Sequence, residues 1–366
     1  MKQTQLILVG GFLGAGKTTL LARAAMLLIE QGKRVGLITN DQAADLVDTA
    51  LLRQADLNVQ EIAGGCFCCR FGQLIDTAQQ IVDEISPDII IGEPVGSCTD
   101  LTATVLQPIK DLYADAYKLT PFSVLVDPNR LWEILEPRRE SSMHASARYI
   151  LRKQLEEADI IVINKKDLLD SDELQELEAV TNDKFPGKSI HAISALNGDG
   201  VAEWLTAVLS DEKVGTHIVE VDYDIYAEGE AILGWLNASA TVTAAGNEDW
   251  QKFGLSILSD IQKTAIAQNA DIAHVKLSVT APAGQYVANL TSSTGTPAIR
   301  GKIDGNPSVI SLVINARVEM SPEELQSIIE ATLSKASNDN IIINVDTIRS
   351  LSPGRPTPTH RYSKVV

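Results

Sequence analysis

The chain has few of the residues from which membrane spans and disulfide-linked folds are built. No apolar run in its 366 residues approaches the ~18 residues that a membrane-spanning helix needs, so we expect no membrane partner. Only four cysteines are present, and three of them are clustered at Cys66, Cys68 and Cys69. This spacing is not that of a secreted disulfide framework, and a thiol cluster requires a reducing compartment. The composition therefore predicts a cytoplasmic protein.

Basic residues are also scarce. The 31 lysines and arginines are outnumbered by 48 aspartates and glutamates, which gives a net charge of −17. Such a surface repels nucleic acid and anionic membranes, so we exclude both as the main partner. The exception is the proline-rich segment 351–366, which carries Arg355, Arg361 and Lys364 and no acidic residue. We predict a basic tail there, without regular secondary structure.

The first 213 residues alternate between strand patterns and helix patterns. Short apolar runs without alternation predict strands buried on both faces of a mostly parallel sheet, at 6–9, 35–38, 88–91, 122–126, 159–163 and 189–193. Amphipathic spacing predicts helices between them, at 20–29, 73–85, 148–157 and 201–209. Together these patterns predict a doubly wound α/β domain over residues 1–213.

Residues 217–350 predict a second, smaller α+β domain. Its predicted strands lie at 217–226, 231–240, 274–280, 285–291, 309–318 and 341–345. Helices are predicted at 249–269 and 322–336, and Ser321 with Glu324 forms a capping box ahead of the second helix. The acidic residues Glu220, Asp222 and Asp224 alternate on the first of these strands. They indicate either a second ion site or a solvated or inter-domain surface, on which the basic tail could dock.

Residues 11–18 read Gly-Phe-Leu-Gly-Ala-Gly-Lys-Thr, which is the complete pattern of a phosphate-binding loop. A predicted strand precedes the loop and a predicted helix follows it, as a phosphate site between loop amides and a helix N-terminus requires. Lys17 is expected to reach the β- and γ-phosphates, and Thr18 to offer its hydroxyl to Mg²⁺. The predicted nucleotide contacts in this segment are Gly11, Gly14, Ala15, Gly16, Lys17, Thr18 and Thr19.

Two later segments indicate that the nucleotide carries guanine. Residues 164–167 read Asn-Lys-Lys-Asp and follow a predicted strand, as does the Ser-Ala-Leu turn at 194–196. An aspartate at the fourth position accepts hydrogen bonds from guanine N1–H and N2–H₂, which adenine does not offer. The predicted guanine-site residues are Asn164, Lys165, Asp167, Ser194, Ala195 and Leu196. We therefore expect GTP and GDP rather than ATP as ligands.

Glu93 and Gly96 form an ExxG segment after the predicted strand 88–91. This is the place for an acidic residue that holds Mg²⁺ and for a glycine whose amide senses the γ-phosphate. Lys17 and Glu93 are accordingly the candidate catalytic residues. Since no glutamine stands where a water-orienting side chain is expected, we predict slow intrinsic GTP hydrolysis.

The cysteine cluster indicates a soft metal ion. Thiolates select ions such as Zn²⁺ and Cu⁺, whereas Mg²⁺ prefers oxygen. Three sulfurs within four residues, at Cys66, Cys68 and Cys69, suit a site that another side chain or water completes. A lone cysteine is more often a small apolar core residue. We interpret Cys98 in that way, with a role as a nearby ligand left open.

As a set, these motifs resemble the CobW-like metallochaperone GTPases, relatives of UreG and HypB, over residues 4–210. The resemblance implies a P-loop GTPase domain with GTP or GDP, Mg²⁺ and Zn²⁺, Co²⁺ or another transition metal as cofactors. It also implies a switch segment that begins near Asn40, with Asp41 as a Mg²⁺ contact and Asp48 either a second oxygen ligand or a solvated helix-start residue. The second domain does not resemble the family's common C-terminal domain.

Two functions follow from the resemblance and the residues. The first is GTP hydrolysis that gates the binding of a transition metal, zinc or cobalt first, and its delivery to a client protein. The alternative is a GTP-dependent remodelling chaperone for a metallocofactor enzyme, such as a corrinoid-dependent one. The guanine motif argues against a small-molecule kinase. The client and the oligomeric state, including a homodimer, are left open.

Overall fold

The structure is a computed structural model, and it describes residues 3–41, 57–136, 143–210 and 214–366. The described chain divides into two compact units. The first unit contains the residues up to Gly229 together with Arg355–Val366, and the second contains Glu230–Gly354. Among the described residues, no helix has both the length and the apolar character needed to cross a bilayer.

The first unit is built on an eight-stranded parallel sheet. Its strands are β1 (Thr4–Gly11), β2 (Val35–Asp41), β3 (Asn58–Ala63), β4 (Ile89–Glu93), β5 (Tyr117–Leu119), β6 (Ser123–Val126), β7 (Ile160–Ile163) and β8 (Ser189–Ala192). The order across the sheet is β3-β2-β4-β1-β6-β7-β8, and β5 pairs with β1. The chain winds outward from β1 in both directions, so the predicted doubly wound fold is confirmed.

Helices cover both faces of this sheet and connect its strands. They are α1 (Lys17–Glu30), α2 (Phe71–Ile85), α3 (Gln107–Leu112), α4 (Pro128–Leu135), α5 (Ala145–Glu157), α6 (Ser171–Lys184) and α7 (Val201–Val208). A further helix, α8 (Tyr223–Ala231), follows later in the chain. A π-helical turn, Thr102–Leu106, precedes α3. The core between sheet and helices is apolar and closed, with Ile7, Ile91 and Val162 each 0% exposed. The loops that follow β1, β4, β7 and β8 open at the carboxyl edge of the sheet, where ligands bind in such folds.

The second unit is an antiparallel sheet with two helices. Its strands are β9 (Gly234–Ala244), β10 (Ile272–Ala281), β11 (Gly284–Leu290), β12 (Ala298–Ile303), β13 (Val309–Val318) and β14 (Ile341–Leu351), in the order β12-β11-β10-β13-β9-β14. Helices α9 (Trp250–Ala267) and α10 (Pro322–Ala336) bury their apolar faces in a core with Val242 and Ile314. The predicted α+β character is confirmed, as is the capping box of Ser321 and Glu324.

The prediction of a strand at 217–226 is wrong. Residues up to Asp222 are irregular, and α8 begins at Tyr223. The Asp222 carboxylate accepts hydrogen bonds from the backbone N–H groups of Asp224 and Ile225, as at a helix start, so the acidic residues do not share one face of a strand. Residues 217–229 also lie in the first unit, and so does most of the tail, whereas the sequence analysis separated both from the first domain.

Candidate functional site

The phosphate-loop segment turns sharply between β1 and α1. Gly11 and Gly16 have φ angles of +131° and +95°, a region that favours glycine. A Cβ on Gly11 would lie 2.2 Å from the Leu125 carbonyl oxygen, and one on Gly16 would lie 2.3 Å from the Asn164 side-chain nitrogen. Within the described chain, no side chain caps the N-terminus of α1, and its first turn has no acidic residue. A helix N-terminus of this kind, directly after a glycine-rich loop, is suited to an anion.

Lys17, Thr18 and Glu93 meet beside this turn. The Lys17 amine donates to the Gly11 carbonyl at 2.8 Å and lies 3.9 Å from the Glu93 carboxylate. The Thr18 hydroxyl is 3.0 and 3.2 Å from the two Glu93 carboxylate oxygens. Gly96 is adjacent, since a Cβ there would lie 3.1 Å from the Lys17 amine. The four residues predicted to handle phosphate and Mg²⁺ are thus within one small volume.

Asn164 connects the phosphate loop to the Ser-Ala-Leu turn. Its side chain is 3% exposed; its amide nitrogen donates to the Ala15 carbonyl at 2.7 Å and its oxygen accepts from the Ala195 N–H at 2.9 Å. The loops after β1, β7 and β8 are therefore held at one edge of the sheet by a single side chain. Ser194 and Ala195 are buried, and Leu196 is exposed.

Lys165 and Asp167 flank this connection. Lys165 has a left-handed backbone with φ +62°, and its amine contacts the Asp127 carboxylate at 2.6 Å. Asp167 stands on a short helical turn with an exposed side chain. An exposed carboxylate can bind the edge of a planar base, and a fixed lysine stem beside it can pack along the face of the base. Arg23 of α1 donates to the Leu196 carbonyl at 2.8 Å and orders the turn on the other side.

The cysteine turn, residues 64–69, connects β3 to α2. The sulfurs of Cys66, Cys68 and Cys69 all lie within 4.8 Å of one another. Cys66 and Cys68 are buried with their sulfurs 3.0 Å apart, and Cys69 is partly exposed with its sulfur 3.8 Å from that of Cys68. The Cys98 thiol is buried within hydrogen-bonding reach of Cys66 and Cys68, although it is outside the set of three. The predicted cluster is thus brought together, with a fourth sulfur beside it.

The protonation of the cluster is uneven. Hydrogen bonds from Cys68, and then from Cys69 and Cys98, hold the pKa of Cys66 well below its usual range against the opposing effect of burial. The hydrogen bond to Cys66 is the main cause that raises the pKa of Cys68, and it also raises the pKa of Cys69 to about 11. Binding of a cation by all three sulfurs would release the protons that remain on them.

Asn40 holds the cysteine turn in place. Its side-chain nitrogen donates to the carbonyls of Ile62 and Gly65 at 2.9 and 2.7 Å, and its oxygen accepts from the Phe67 N–H at 3.0 Å. The sequence analysis placed Asn40 in the switch segment without this role. The Asp41 side chain and Asp48 lie outside the described part of the chain.

The segment after Gly96 is fixed on α5. Gln154 donates from its side-chain amide to the carbonyls of Gly96 and Cys98 at 3.0 and 2.8 Å. The fully buried Glu157 accepts from the Thr99 hydroxyl at 3.0 Å and the Thr102 N–H at 2.8 Å. These contacts link the ExxG segment to the π-helical turn. Neither Gln154 nor Glu157 was among the predicted site residues.

The oxygen donors at the phosphate loop fit Mg²⁺, and the sulfur donors fit a softer ion. Thr18 and Glu93 offer a hydroxyl and two carboxylate oxygens within 3.2 Å of each other, the donor set that a hard cation prefers. The thiols of Cys66, Cys68 and Cys69 offer three sulfurs instead. The two sets differ enough in chemistry to separate the two ions.

Residues 5–192 match the family described as CobW/HypB/UreG, nucleotide-binding domain. The chain belongs to this family. It is similar to the zinc chaperone YeiR of Escherichia coli, at 30% identity over 171 residues that make up 45% of this chain and 47% of that protein. A zinc chaperone CobW from a Sinorhizobium species is 28% identical over 228 residues, 57% of this chain and 62% of that one. The chain spans about half the length of the curated relatives it matches.

Two solved structures are distantly similar. The Zn(II)-bound YjiA GTPase from E. coli has a TM-score of 0.40 at 14% identity, and the match covers 91% of this chain and 99% of that one. HypB from Helicobacter pylori in complex with nickel has a TM-score of 0.41 at 16% identity, and the match covers 58% of this chain and 92% of that one. At this distance neither likeness carries an argument about function.

Proposed function

We propose that this protein is a GTP-dependent carrier of a transition metal, zinc in the first place and cobalt in the second, that delivers the ion to a client protein. The observation that supports this most is the position of three cysteine sulfurs within 4.8 Å of one another in a chain whose phosphate-loop residues contact an acidic ExxG segment. The similarity to zinc chaperones from E. coli and a Sinorhizobium species supports zinc.

On the nucleotide side, each proposed role follows from a contact. The Lys17 amine lies at the turn, 3.9 Å from the Glu93 carboxylate, and would neutralise phosphate oxygens. Thr18 and Glu93 would hold Mg²⁺, which supplies charge neutralisation of the phosphates when bound. Gly96, next to the Lys17 amine, would report the γ-phosphate through its amide. Asn164 keeps these loops in register with the guanine-binding residues.

Guanine selection falls to Asp167 and its surroundings. The exposed carboxylate would accept two hydrogen bonds from the base, and Lys165, fixed by Asp127, would lie along the face of the ring. The turn at 194–196 would offer backbone N–H groups to the guanine oxygen. Because an unpaired polar group costs binding energy, adenine is disfavoured at such a site.

On the metal side, the set of three sulfurs leaves a fourth position open. Three protein ligands with an open place suit an ion that must leave again, whereas four closed thiolates suit a structural ion. Cys98 lies beside the set and is the candidate for the fourth ligand in one nucleotide state. Hydrolysis is proposed to be slow, with kcat below about 1 s⁻¹ for the isolated protein, the low end of ordinary enzyme turnover.

The experiment that tests the proposal is a titration of Zn²⁺ and Co²⁺ into the reduced full chain against a chelator of known affinity. The variant with Cys66→Ser, Cys68→Ser and Cys69→Ser is measured in parallel, and Cys98→Ser decides whether the fourth sulfur contributes. We expect one tight site in the wild type, none in the triple variant, and the same GTP affinity for both proteins in the absence of metal. Absence of tight metal binding would reject the carrier and leave the remodelling chaperone as the alternative.

A further inference from the structure

The C-terminal segment lies over the cysteine turn and carries two donors for it. Residues 355–359 read Arg-Pro-Thr-Pro-Thr, so the backbone N–H groups of this run alternate with prolines, which have none. The Thr357 N–H donates to the Cys69 sulfur at 3.3 Å, and the Thr359 N–H donates to the Cys68 carbonyl at 2.9 Å. The N–H groups of Thr357 and Thr359, which follow the two prolines, therefore both donate to the cysteine turn.

The prolines also reduce the conformational entropy that the segment loses when it makes these contacts. Each fixes its own φ angle and favours an extended backbone before it, so the segment is already close to its bound shape. The Thr359 hydroxyl adds a contact to the Cys69 carbonyl at 3.4 Å, and the His360 ring packs edge-on against Phe71, the first residue of α2. The segment thus runs along the exposed side of the turn from Cys69 to the start of α2.

A buried carboxylate anchors the segment further on. The Arg361 Nε lies 2.7 Å from the Oδ2 of Asp100, whose side chain is 0% exposed, and the Tyr223 hydroxyl donates to the same oxygen at 2.7 Å. Asp100 has a left-handed backbone with φ +65°, which is uncommon for this residue and held by its surroundings. Arg355 contacts Asp224, and the Tyr362 N–H donates to the Ala103 carbonyl in the π-helical turn.

This anchor is one that can be released. The second oxygen of Asp100, Oδ1, is buried without a hydrogen-bond partner among the described residues. Arg361 itself is more than a third exposed, at 37% of its side chain. In this ion pair one carboxylate oxygen has no hydrogen-bond partner among the described residues and the arginine is open to water. Breaking it therefore costs less free energy than breaking a buried pair in which every polar atom is hydrogen-bonded.

We propose that residues 355–362 form a strap that covers the cysteine turn, closed by the Arg361–Asp100 pair, and that opening of this strap controls access to Cys69. Thr357 is a positioning residue in the strap, because its N–H is aimed at the Cys69 sulfur. The part of this inference that concerns metal passage rests on the proposed function; the covering of the thiol does not.

The strap joins the cysteine turn to the segment that follows Gly96. It binds Cys68 and Cys69 at one end and Asp100 and Ala103 at the other. A movement of the ExxG segment would therefore be transmitted to Asp100 and loosen the pair with Arg361. If the strap only fixed the C-terminal segment to the first unit, opening it would not change the accessibility of the Cys69 thiol.

The first test is alkylation of the reduced, metal-free full chain with iodoacetamide, followed residue by residue by mass spectrometry. Arg361→Gln is compared with Lys364→Gln, which removes an exposed cation from the same segment. We expect Arg361→Gln to raise the alkylation rate of Cys69 about tenfold, as loss of a partly buried ion pair implies, and Lys364→Gln to leave it unchanged. Rates within a factor of about two in all three proteins would overturn the strap.

A second pair of variants keeps the inference testable if Arg361→Gln unfolds the protein. Thr357→Pro removes the N–H donor to Cys69 in an already extended segment, and Thr357→Ala keeps it. Thr357→Pro should raise the Cys69 alkylation rate about threefold and release Zn²⁺ to a chelator faster, with Thr357→Ala like the wild type. Equal alkylation in the two would overturn the positioning role. If the wild type binds no Zn²⁺, the proposed function fails, yet the alkylation rates still decide the strap.

Discussion

The phosphate-loop region and the cysteine region of the first unit are assembled in different ways. At the phosphate loop, Lys17, Thr18 and Glu93 contact one another directly and each belongs to a short contiguous motif. The cysteine turn contains its sulfurs in four residues, but Asn40 holds it in place and Thr357 and Thr359 cover it, from far away in the chain. A motif thus reveals groups with ligand-binding chemistry, while the groups that hold and cover the cysteine turn come from tertiary contacts.

The largest expected difference between the regions comes from Lys17→Ala. Loss of this buried cation removes a charge-assisted contact to phosphate, so we expect GTP-analogue affinity to fall by about 100-fold or more. Zn²⁺ binding in the absence of nucleotide should stay within about twofold of the wild type, because the thiols form no part of that contact. Both are measured by isothermal titration calorimetry, with Lys33→Ala, an exposed lysine, as the control. Equal losses of GTP-analogue and Zn²⁺ affinity would show that the two regions are not separate.

Asp167→Asn should affect nucleotide binding and leave the cysteine region unchanged. The substitution replaces a carboxylate that accepts two bonds by an amide that cannot accept both, so the preference for GTP over ATP should fall about 10- to 100-fold. Competition between the two nucleotides for a fluorescent analogue measures it. Asp199→Asn, which alters an exposed carboxylate beside Lys166, should leave the preference unchanged. An undiminished preference in Asp167→Asn would refute the guanine assignment.

Asn40→Ala should weaken the cysteine region more than the phosphate loop. The side chain is 6% exposed and makes three hydrogen bonds to the strand end and turn, and their loss leaves buried groups unpaired. We expect the free energy of unfolding to fall by about 1–3 kcal/mol and Zn²⁺ affinity to fall about tenfold. Urea denaturation and chelator competition measure the two effects. If nucleotide affinity fell as much as Zn²⁺ affinity, the phosphate loop and the cysteine turn would not be distinct binding regions.

The prediction with the least expected effect on ligand binding concerns Glu157, whose carboxylate accepts hydrogen bonds from the segment after Gly96. Burial raises the pKa of this carboxyl to about 8, although the hydrogen bond from Thr102 opposes the shift, so the folded protein keeps its proton where the unfolded chain loses it. Because the pKa is higher in the folded state, the contribution of Glu157 to stability is fully present at pH below about 4.5. It is lost as pH rises from about 4.5 to about 8.

Glu157→Gln removes this titration. We therefore expect its unfolding free energy to depend less on pH between about 5 and about 8 than that of the wild type, by an amount on the order of a few kcal/mol. Urea denaturation at both pH values measures the difference, and Glu156→Gln, a partly exposed neighbour, is the matched control. Parallel pH profiles for Glu157→Gln and the wild type would show that the carboxyl is already ionised in the folded state.

The parallel sheet and the clustering of the motif residues could be predicted, because buried strands and ligand-binding loops have local signatures. The sequence analysis missed β3, Asn58–Ala63, whose edge position allows polar residues to interrupt the apolar run. It misread residues 217–226 because alternating acids imitate a strand, while the Asp222 carboxylate starts a helix. The pairs Lys165–Asp127 and Arg361–Asp100 join distant segments and have no local pattern.

In the function proposed for this protein, nucleotide and metal occupancy are linked within the first unit. The most direct measurement is the Zn²⁺ affinity of the reduced full chain saturated with Mg²⁺ and a non-hydrolysable GTP analogue, compared with the affinity in Mg²⁺ and GDP. A ligand shifts a conformational equilibrium only by its differential affinity, and the coupling is reciprocal. We predict a Zn²⁺ affinity about tenfold or more higher in the GTP-analogue state, matched by an equal gain in analogue affinity when Zn²⁺ is bound. Equal Zn²⁺ affinities in the two nucleotide states would show that nucleotide and metal binding are not linked.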